Sequence, residues 1–183
     1  VWGIFVPEWY LGFFNVSRFS FGKLQFEITD FGYKYDKNGV LLNQESAVIN
    51  IHIPRTGTRL TPQDVDDACE TATQFFKEKY AIMDPPVFVC NSWLLYPENK
   101  KVLKQTSNLY SFISRFEIIK VEEYPDYKET WRLFDCEYTG DPSCLPADSS
   151  FRRAYIDWMK HGKKTGWGYG VYVYKPINRI KGQ

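Results

Sequence analysis

Alternation of apolar and polar residues is clearest between residues 48 and 54. Three isoleucines fall on one side of this segment and three other residues on the opposite side: Ile49, Ile51 and Ile53 against Val48, Asn50 and His52. A two-residue period with many β-branched residues is typical of a strand buried on one face. The pattern therefore predicts a half-buried strand whose second face carries a histidine.

A helix is predicted soon after this strand. Thr61 is placed as its N-cap, Pro62 takes the first helical position and Asp64 is the acidic partner of a capping box. Apolar residues then recur at helical spacing: Val65, Ala68, Cys69, Ala72, Phe75 and Phe76. Two prolines at 85–86 end the connection, and residues 87–95 have the composition of a second strand. This order predicts two parallel strands joined by a crossover helix.

The turn between the strand and the helix has the residues of an anion site. Two arginines, two threonines and a glycine precede the helix start: Arg55, Thr56, Gly57, Thr58 and Arg59. Backbone N–H groups and the helix dipole favour a negative group at such a point, which indicates a phosphate-binding turn. The alternative is that Thr61 and Asp64 only cap the helix and that both arginines are surface charges.

The rest of the chain predicts strands and helices around this segment. One long strand is expected at 19–35, followed by a hairpin turn at Asn38-Gly39. A strand at 117–124 precedes helical segments at 125–134 and 146–161, with Gly162 as a C-cap. The last strand, at 166–174, has three glycines on one face. These glycines predict either a trough for a ligand or a place where another segment crosses closely.

Composition limits the size and the partners of the protein. The chain has 183 residues, 44% of them hydrophobic, which is enough for one sizeable core. A formal net charge of +1 argues against nucleic acid or an anionic membrane as the main partner. We find no apolar run near the roughly 20 residues that cross a bilayer and no signal peptide, so we expect a cytoplasmic protein.

The four cysteines and two histidines lack the spacing of a metal site, and no metal is expected. Cys69 and Cys90 fall at apolar positions, where a thiol usually packs as a small hydrophobic group. Cys136 and Cys144 flank a turn-rich loop in which a disulfide is sterically conceivable. A cytoplasmic location argues against that disulfide.

A downstream helix connects these elements to a known family. Residues 108–119 contain a Leu109–Tyr110 pair, then five residues, then Phe116 at the start of a strand. Together with the strand, turn, helix and strand before it, this segment resembles the GNAT superfamily of N-acyltransferases. More specifically, the chain is similar to the GNAT-like C-terminal domain of a two-part bacterial acyltransferase family, in which a separate domain precedes it.

The resemblance implies an α+β fold with a central mixed, mostly antiparallel sheet, two splayed parallel strands and flanking helices. The two helical segments before the last strand are additions to a minimal domain of this type. We divide the chain into an apolar lead-in at 1–18, expected to be the end of a preceding region, a single domain at 19–174 and a polar tail at 175–183.

The resemblance also implies a reaction, the transfer of an acyl group from coenzyme A to a small-molecule amine by direct attack, with acetyl expected. Residues 55–59 would bind the pyrophosphate, and backbone around Asn91 and Ser92 would pair with the pantetheine amides. Tyr110 matches the family tyrosine that protonates the leaving thiolate. His52 is our candidate base, because an imidazole exchanges its proton near neutral pH. Glu45 or a chain of waters is an alternative base.

A non-catalytic module with the same fold is the competing hypothesis. Such a module would bind a partner domain or a small ligand, and His52 and Tyr110 would then be structural residues. The turn favours this alternative, since it has only Gly57 where the family usually has more glycine.

Overall fold

The computed structural model describes residues 7–54, 57–80 and 82–175. The chain divides into two compact units, and each is described separately below. The first unit comprises the described residues up to 90 and those from 171 to 175. The second comprises residues 91–170.

The described residues of the first unit contain five complete strands, parts of two further strands, and two helices. The strands are β1 (Arg18–Phe21), β2 (Leu24–Asp30), β3 (Tyr35–Lys37), β4 (Val40–Leu42), β5 (Ala47–His52) and the beginning of β6 (Val87–Ser92). The helices are α1 (Pro7–Phe14) and α2 (Pro62–Tyr80). β3 and β4 form a separate hairpin at the predicted turn, where Asn38 and Gly39 both have positive φ.

The prediction of one strand at 19–35 is wrong, because the segment folds into two antiparallel strands. Gly22 turns the chain between β1 and β2 with φ +56°, a conformation that glycine adopts without a side-chain clash. Phe19 then lies opposite Phe26. The apolar positions change from odd to even numbers at this turn, and that change of parity was the available sequence signal.

Helix α2 confirms the predicted capping box and covers one face of the sheet. The Asp64 carboxylate accepts hydrogen bonds from the Thr61 backbone N–H and hydroxyl, both at 2.7 Å, while the Asp64 N–H donates to Thr61 Oγ1. The buried residues of the helix include Val65, Ala68, Cys69, Ala72 and Phe76. Phe75 is half-buried and packs against Phe19 and Phe21. The isoleucine side of β5 is buried, as the alternation predicts.

The crossover is parallel, as predicted. β5 pairs antiparallel with β2 and parallel with β6, where Ile49 lies opposite Phe88 and Asn50 opposite Val89. β6 ends at Ser92, three residues earlier than the predicted strand. The Ser92 side chain accepts a hydrogen bond from the Leu94 N–H and caps a short 3₁₀ helix at Trp93–Leu95.

The second unit contains the helices that precede the last strand. Its elements are α3 (Asn99–Val102), α4 (Asn108–Ile113), β7 (Glu117–Tyr124), α5 (Trp131–Phe134), α6 (Ser150–Lys160) and most of β8 (Thr165–Val173). The expected helix at 125–134 is only a 3₁₀ turn at Lys128–Thr130 followed by the single turn of α5. Helix α6 begins later than expected, since Ser149 caps it, and Gly162 follows its end with φ +65°.

Other segments of the chain pack closely on the glycine face of β8, so this face is not a trough for a ligand. A Cβ at Gly166 would meet the Glu122 carbonyl oxygen and the Tyr96 ring, and one at Gly168 would meet the Leu95 carbonyl oxygen. A Cβ at Gly170 would lie 2.7 Å from Phe116 Cβ and 2.8 Å from Leu95 Cδ1. The three glycines therefore allow the neighbouring chain to pack directly on the strand.

The larger sheet has the strand order β1-β2-β5-β6-β8-β7. The predicted α+β class is confirmed, with antiparallel β1, β2 and β5 and the parallel pair of β5 and β6. The division into lead-in, domain and tail stays a prediction, and residues 176–183 of the tail lie outside the described residues. None of the described helices is both long and apolar enough to cross a membrane.

We expect Gly168→Ala to destabilise the protein more than Gly170→Ala. The added methyl at 168 meets the backbone of Leu95 in the 3₁₀ helix, which moves only together with that helix, whereas the methyl at 170 meets side-chain atoms. Overpacking costs about 1–3 kcal/mol and more where nothing yields, so we expect about 1–3 kcal/mol at 170 and at least about 3 kcal/mol at 168. Urea denaturation measures both values, and equal losses would contradict the close crossing at 168.

Candidate active site

The polar face of β5 carries the candidate base, and two neighbouring strands supply its partners. In the antiparallel register, Arg18 of β1 lies opposite Glu27 of β2, and Glu27 lies opposite Asn50 of β5. His52 is two residues beyond Asn50 and shares its face. The four side chains thus come together on one side of the sheet, opposite the face that packs on α2.

The Glu27 carboxylate is the centre of this cluster. Its Oε1 lies 2.7 Å from His52 Nε2, and its Oε2 lies 2.5 Å from Arg18 Nη2. The side chains of Arg18, Glu27 and His52 are only 12%, 21% and 22% exposed. The hydrogen bond and the charge interaction with His52, followed by those with Arg18, lower the pKa of Glu27 from 4.5 to about 2, against the opposing effect of burial. Glu27 is therefore ionised at neutral pH.

The ionised carboxylate decides which nitrogen of His52 is basic. A carboxylate only accepts hydrogen bonds, so the imidazole must carry a proton on Nε2 to bond with it. In the neutral ring the lone pair is then on Nδ1. Among the described residues, none hydrogen bonds to Nδ1. His52 thus has an oriented ring and an available basic nitrogen, which is the arrangement required for a general base.

The Asn50 side chain completes the polar contacts of Glu27. Its Nδ2 lies 3.3 Å from Glu27 Oε1 and 3.2 Å from His52 Nε2. The amide orientation follows from the carboxylate, since turning it would bring two oxygens together. Within the described part of the chain, the buried Asn50 Oδ1 has no hydrogen-bond partner.

Helix α1 closes one side of the cluster through Trp9. The edge of one ring meets the face of the other between Trp9 and His52, with centroids 4.5 Å apart. The Arg18 guanidinium lies 3.7 Å from the Trp9 ring centroid, and its Nη1 donates to the Trp9 carbonyl at 2.6 Å. Trp9 Nε1 donates to Gln25, which is opposite His52 in the register.

The proposed pyrophosphate turn is described from Gly57 onward, and Arg55 and Thr56 lie outside the described residues. Gly57 has φ +72°, and Thr58 and Arg59 are exposed. In the capping box, the backbone N–H groups of Thr61 and Asp64 bond to side chains of the same turn. The sequence analysis expected such N–H groups to be free to bind an anion. The supply of free donors at this helix start is therefore smaller than expected.

Lys23 is a further cation at this turn, and the sequence analysis missed it. Its Nζ donates to the Arg59 carbonyl at 2.8 Å and to Asp64 Oδ2 at 2.9 Å. The hydrogen bonds from Thr61, and after them the contact with Lys23, lower the pKa of Asp64 to about 2. No periodicity reveals this lysine, because it lies 41 positions before Asp64 and reaches it only after β1 and β2 pair.

Three of the other candidate residues, Tyr110, Asn91 and Ser92, are in the second unit, and Glu45 is in the first. Tyr110 is half-buried on α4, and Lys100 Nζ lies 5.8 Å from its ring centroid. Asn91 is exposed and Ser92 is half-buried at the end of β6. Glu45, the alternative base, belongs to the turn before β5, where its N–H donates to the Asn43 side chain. The roles of these residues stay predictions.

The cysteines and the acidic residues do not form a metal site in the described part of the chain. Cys69 and Cys90 are buried in the apolar core, as predicted, and burial raises the pKa of the Cys90 thiol to about 12. Cys136 and Cys144 are exposed and free, so they form no disulfide.

Four solved structures are similar in fold, and two of them illustrate the match. An acyltransferase in complex with decanoyl-CoA aligns with a TM-score of 0.74 and 20% identity, over 92% of this chain and 50% of its own. An acyltransferase in complex with CoA and 10C-teicoplanin aligns with a TM-score of 0.73 and 20% identity, over 91% of this chain and 50% of its own. The chain thus spans about half the length of these acyltransferase structures.

The family match is independent of these structures. No curated protein sequence is significantly similar to the chain. The model of the GNAT-like C-terminal domain matches residues 19–172, which is most of the chain. The sheet, with its parallel β5–β6 pair, agrees with this match. The chain therefore belongs to the family of GNAT-like C-terminal domains.

Proposed function

We propose that this chain is the catalytic part of an acyltransferase that moves an acyl group from coenzyme A to an amine. The observation that carries the proposal is the hydrogen bond between Glu27 and His52, which leaves Nδ1 of an oriented imidazole as a base. The acyltransferases in complex with decanoyl-CoA and with CoA support the same donor, since they have the same fold. The proposed location is the cytoplasm.

The proposed reaction proceeds by direct attack. His52 Nδ1 accepts a proton from the ammonium group, and the free amine attacks the thioester carbonyl carbon. The carbon–sulfur bond then breaks and the sulfur leaves with the electron pair. The nitrogen releases its second proton to water, and the acyl group stays on it as an amide. Tyr110 is the proposed acid that protonates this thiolate, a role that comes from the family resemblance. Residues 55–59 are proposed to bind the pyrophosphate, and Asn91 and Ser92 the pantetheine arm.

The identities of the acceptor and of the acyl chain are narrower proposals. A structure with CoA and 10C-teicoplanin makes a compound of that type the first amine acceptor to test. A structure with decanoyl-CoA adds a ten-carbon donor to the acetyl group that we expect from the resemblance. Because the chain spans half of these structures, a preceding domain is proposed to complete the protein.

The first test is binding of acetyl-CoA and decanoyl-CoA. A ligand at one hundred times its dissociation constant stabilises a protein by about 2.7 kcal/mol, which raises the melting temperature by several degrees. Arg55→Ala and Arg59→Ala are each expected to weaken CoA binding by about 1.5–3 kcal/mol, if each loses a charged hydrogen bond to phosphate. Calorimetric titration measures these losses.

Lys34→Ala is the matched control, because Lys34 is an exposed cation in a turn of the same unit, between β2 and β3. Its affinity for CoA should equal that of the wild type. If neither thioester changes the melting temperature, the chain is the non-catalytic module. If both arginine variants bind CoA with unchanged affinity, the pyrophosphate lies elsewhere.

The second test separates chemistry from binding. His52→Gln keeps an N–H near Glu27 but removes the base, and Tyr110→Phe removes only the phenol oxygen. Each is expected to lower turnover by about 100- to 10,000-fold, the usual contribution of a general acid or base, with little change in CoA affinity. In wild type, kcat/KM should fall as the pH is lowered, because the base must be unprotonated.

His161→Gln is the control for the histidine variant, since His161 is the other histidine of the chain and is exposed. It should keep wild-type turnover. Full turnover in His52→Gln would assign the base to another group, such as Glu45 or a water. Full turnover in Tyr110→Phe would remove the tyrosine from the mechanism.

A further inference from the structure

The candidate base and three other side chains form a closed ring of contacts. His52 bonds to Glu27, Glu27 to Arg18, and Arg18 lies over the ring of Trp9, which meets the His52 ring in an edge-to-face contact. Trp9 and Arg18 precede residue 19, where the family match begins.

We propose that Arg18 is a positioning residue that keeps His52 oriented and offsets the negative charge of Glu27 beside it. It does so through Glu27, whose carboxylate it holds and whose charge it balances. The inference deepens the proposed function and rests on it only for the use of Nδ1 as the base.

The need for a balancing charge follows from the distances. A carboxylate oxygen 2.7 Å from the imidazole favours the protonated ring, and a protonated ring cannot accept a proton from the substrate. Arg18 places a positive charge 2.5 Å from the other carboxylate oxygen, so the pair is neutral overall. Among the described residues in contact with the ring or with its carboxylate partner, the charged groups are Glu27 from β2 and, behind it, Arg18 from β1. Asn50 from β5 and Trp9 from α1 are uncharged.

The geometry suits an arginine in particular. Nη2 bonds to Glu27, Nη1 donates to the Trp9 carbonyl, and the planar group stacks on the Trp9 ring. One guanidinium can make these contacts together because its donors are spread over a rigid plane, whereas the donors of a lysine ammonium all come from one nitrogen. Arg18 thereby ties α1 to the strands that carry Glu27 and His52.

Histidine ¹⁵N NMR on the full chain tests the proposal without substrate. The chain has two histidines, so His52 and His161 can be assigned by comparison with His161→Gln. In Arg18→Met, Glu27 loses its balancing charge, and the pH midpoint of His52 should rise above that of the wild type. Arg18→Lys keeps the charge and should restore most of the wild-type midpoint.

Arg153→Met is the matched control, since Arg153 is exposed on α6 in the other unit. It should leave the His52 midpoint unchanged, and His161 reports any general effect of net charge. An unchanged or lowered His52 midpoint in folded Arg18→Met would overturn the proposal. A midpoint raised as much in Arg18→Lys as in Arg18→Met would also overturn it, because packing and not charge would be the cause.

The pH dependence of kcat/KM separates this inference from the proposed function. If the inference and the proposed function are both correct, the acidic limb of the kcat/KM profile of Arg18→Met moves to higher pH together with the NMR midpoint. If the midpoint moves but neither protein transfers an acyl group, the electrostatic role of Arg18 stands and the proposed function fails. If the protein is active and its acidic limb does not move with the midpoint, Arg18 does not act through the catalytic base.

Discussion

The antiparallel register of β2 and β5 is the constraint on which the candidate site depends. It places Glu27 opposite Asn50 and Gln25 opposite His52 on one face, while Phe26 and Ile51 meet on the other. A slip of one residue would exchange the two faces and bury the carboxylate among the aromatic rings that pack on α2. The buried face therefore fixes the register, and the register in turn creates the contact between Glu27 and His52.

The charged part of the site has a cost in stability. Moving two charged groups out of water costs free energy. The attraction between the two charges often does no more than balance this cost, so a partly buried ion pair is weak evidence for a stabilising role. Arg18 and Glu27 are such a pair, and they lie beside an imidazole and a tryptophan at the edge of a well-packed core. A functional role explains their presence better than stability does.

Local patterns were enough to predict the parallel crossover and its helix. The isoleucine alternation of β5, the capping box at Thr61 and the apolar face of α2 each depend on neighbours in sequence, and the structure confirms them. His52 was also placed correctly on the polar face. Its partners were not predicted, because Glu27 is 25 residues away and Trp9 reaches the ring only through tertiary packing.

The glycines of β8 show a different limit. Their spacing predicted a shared face but left open whether a ligand or the chain itself would fill it. The Leu95 carbonyl and the Phe116 side chain occupy that face, which follows from packing within the second unit and from no pattern in β8 itself. Similarly, the residues at 125–134 have helical composition, yet only one helical turn forms there.

A double-mutant cycle of Glu27→Gln and His52→Gln measures the central claim most directly. If the carboxylate acts by holding and polarising the histidine, Glu27→Gln lowers kcat/KM in the wild type but has little further effect once His52 is replaced. The coupling would then lie in the range of about 0.5–3 kcal/mol that is usual for residues in contact. Losses that add fully in the double variant would contradict the claim that the two side chains work as one base.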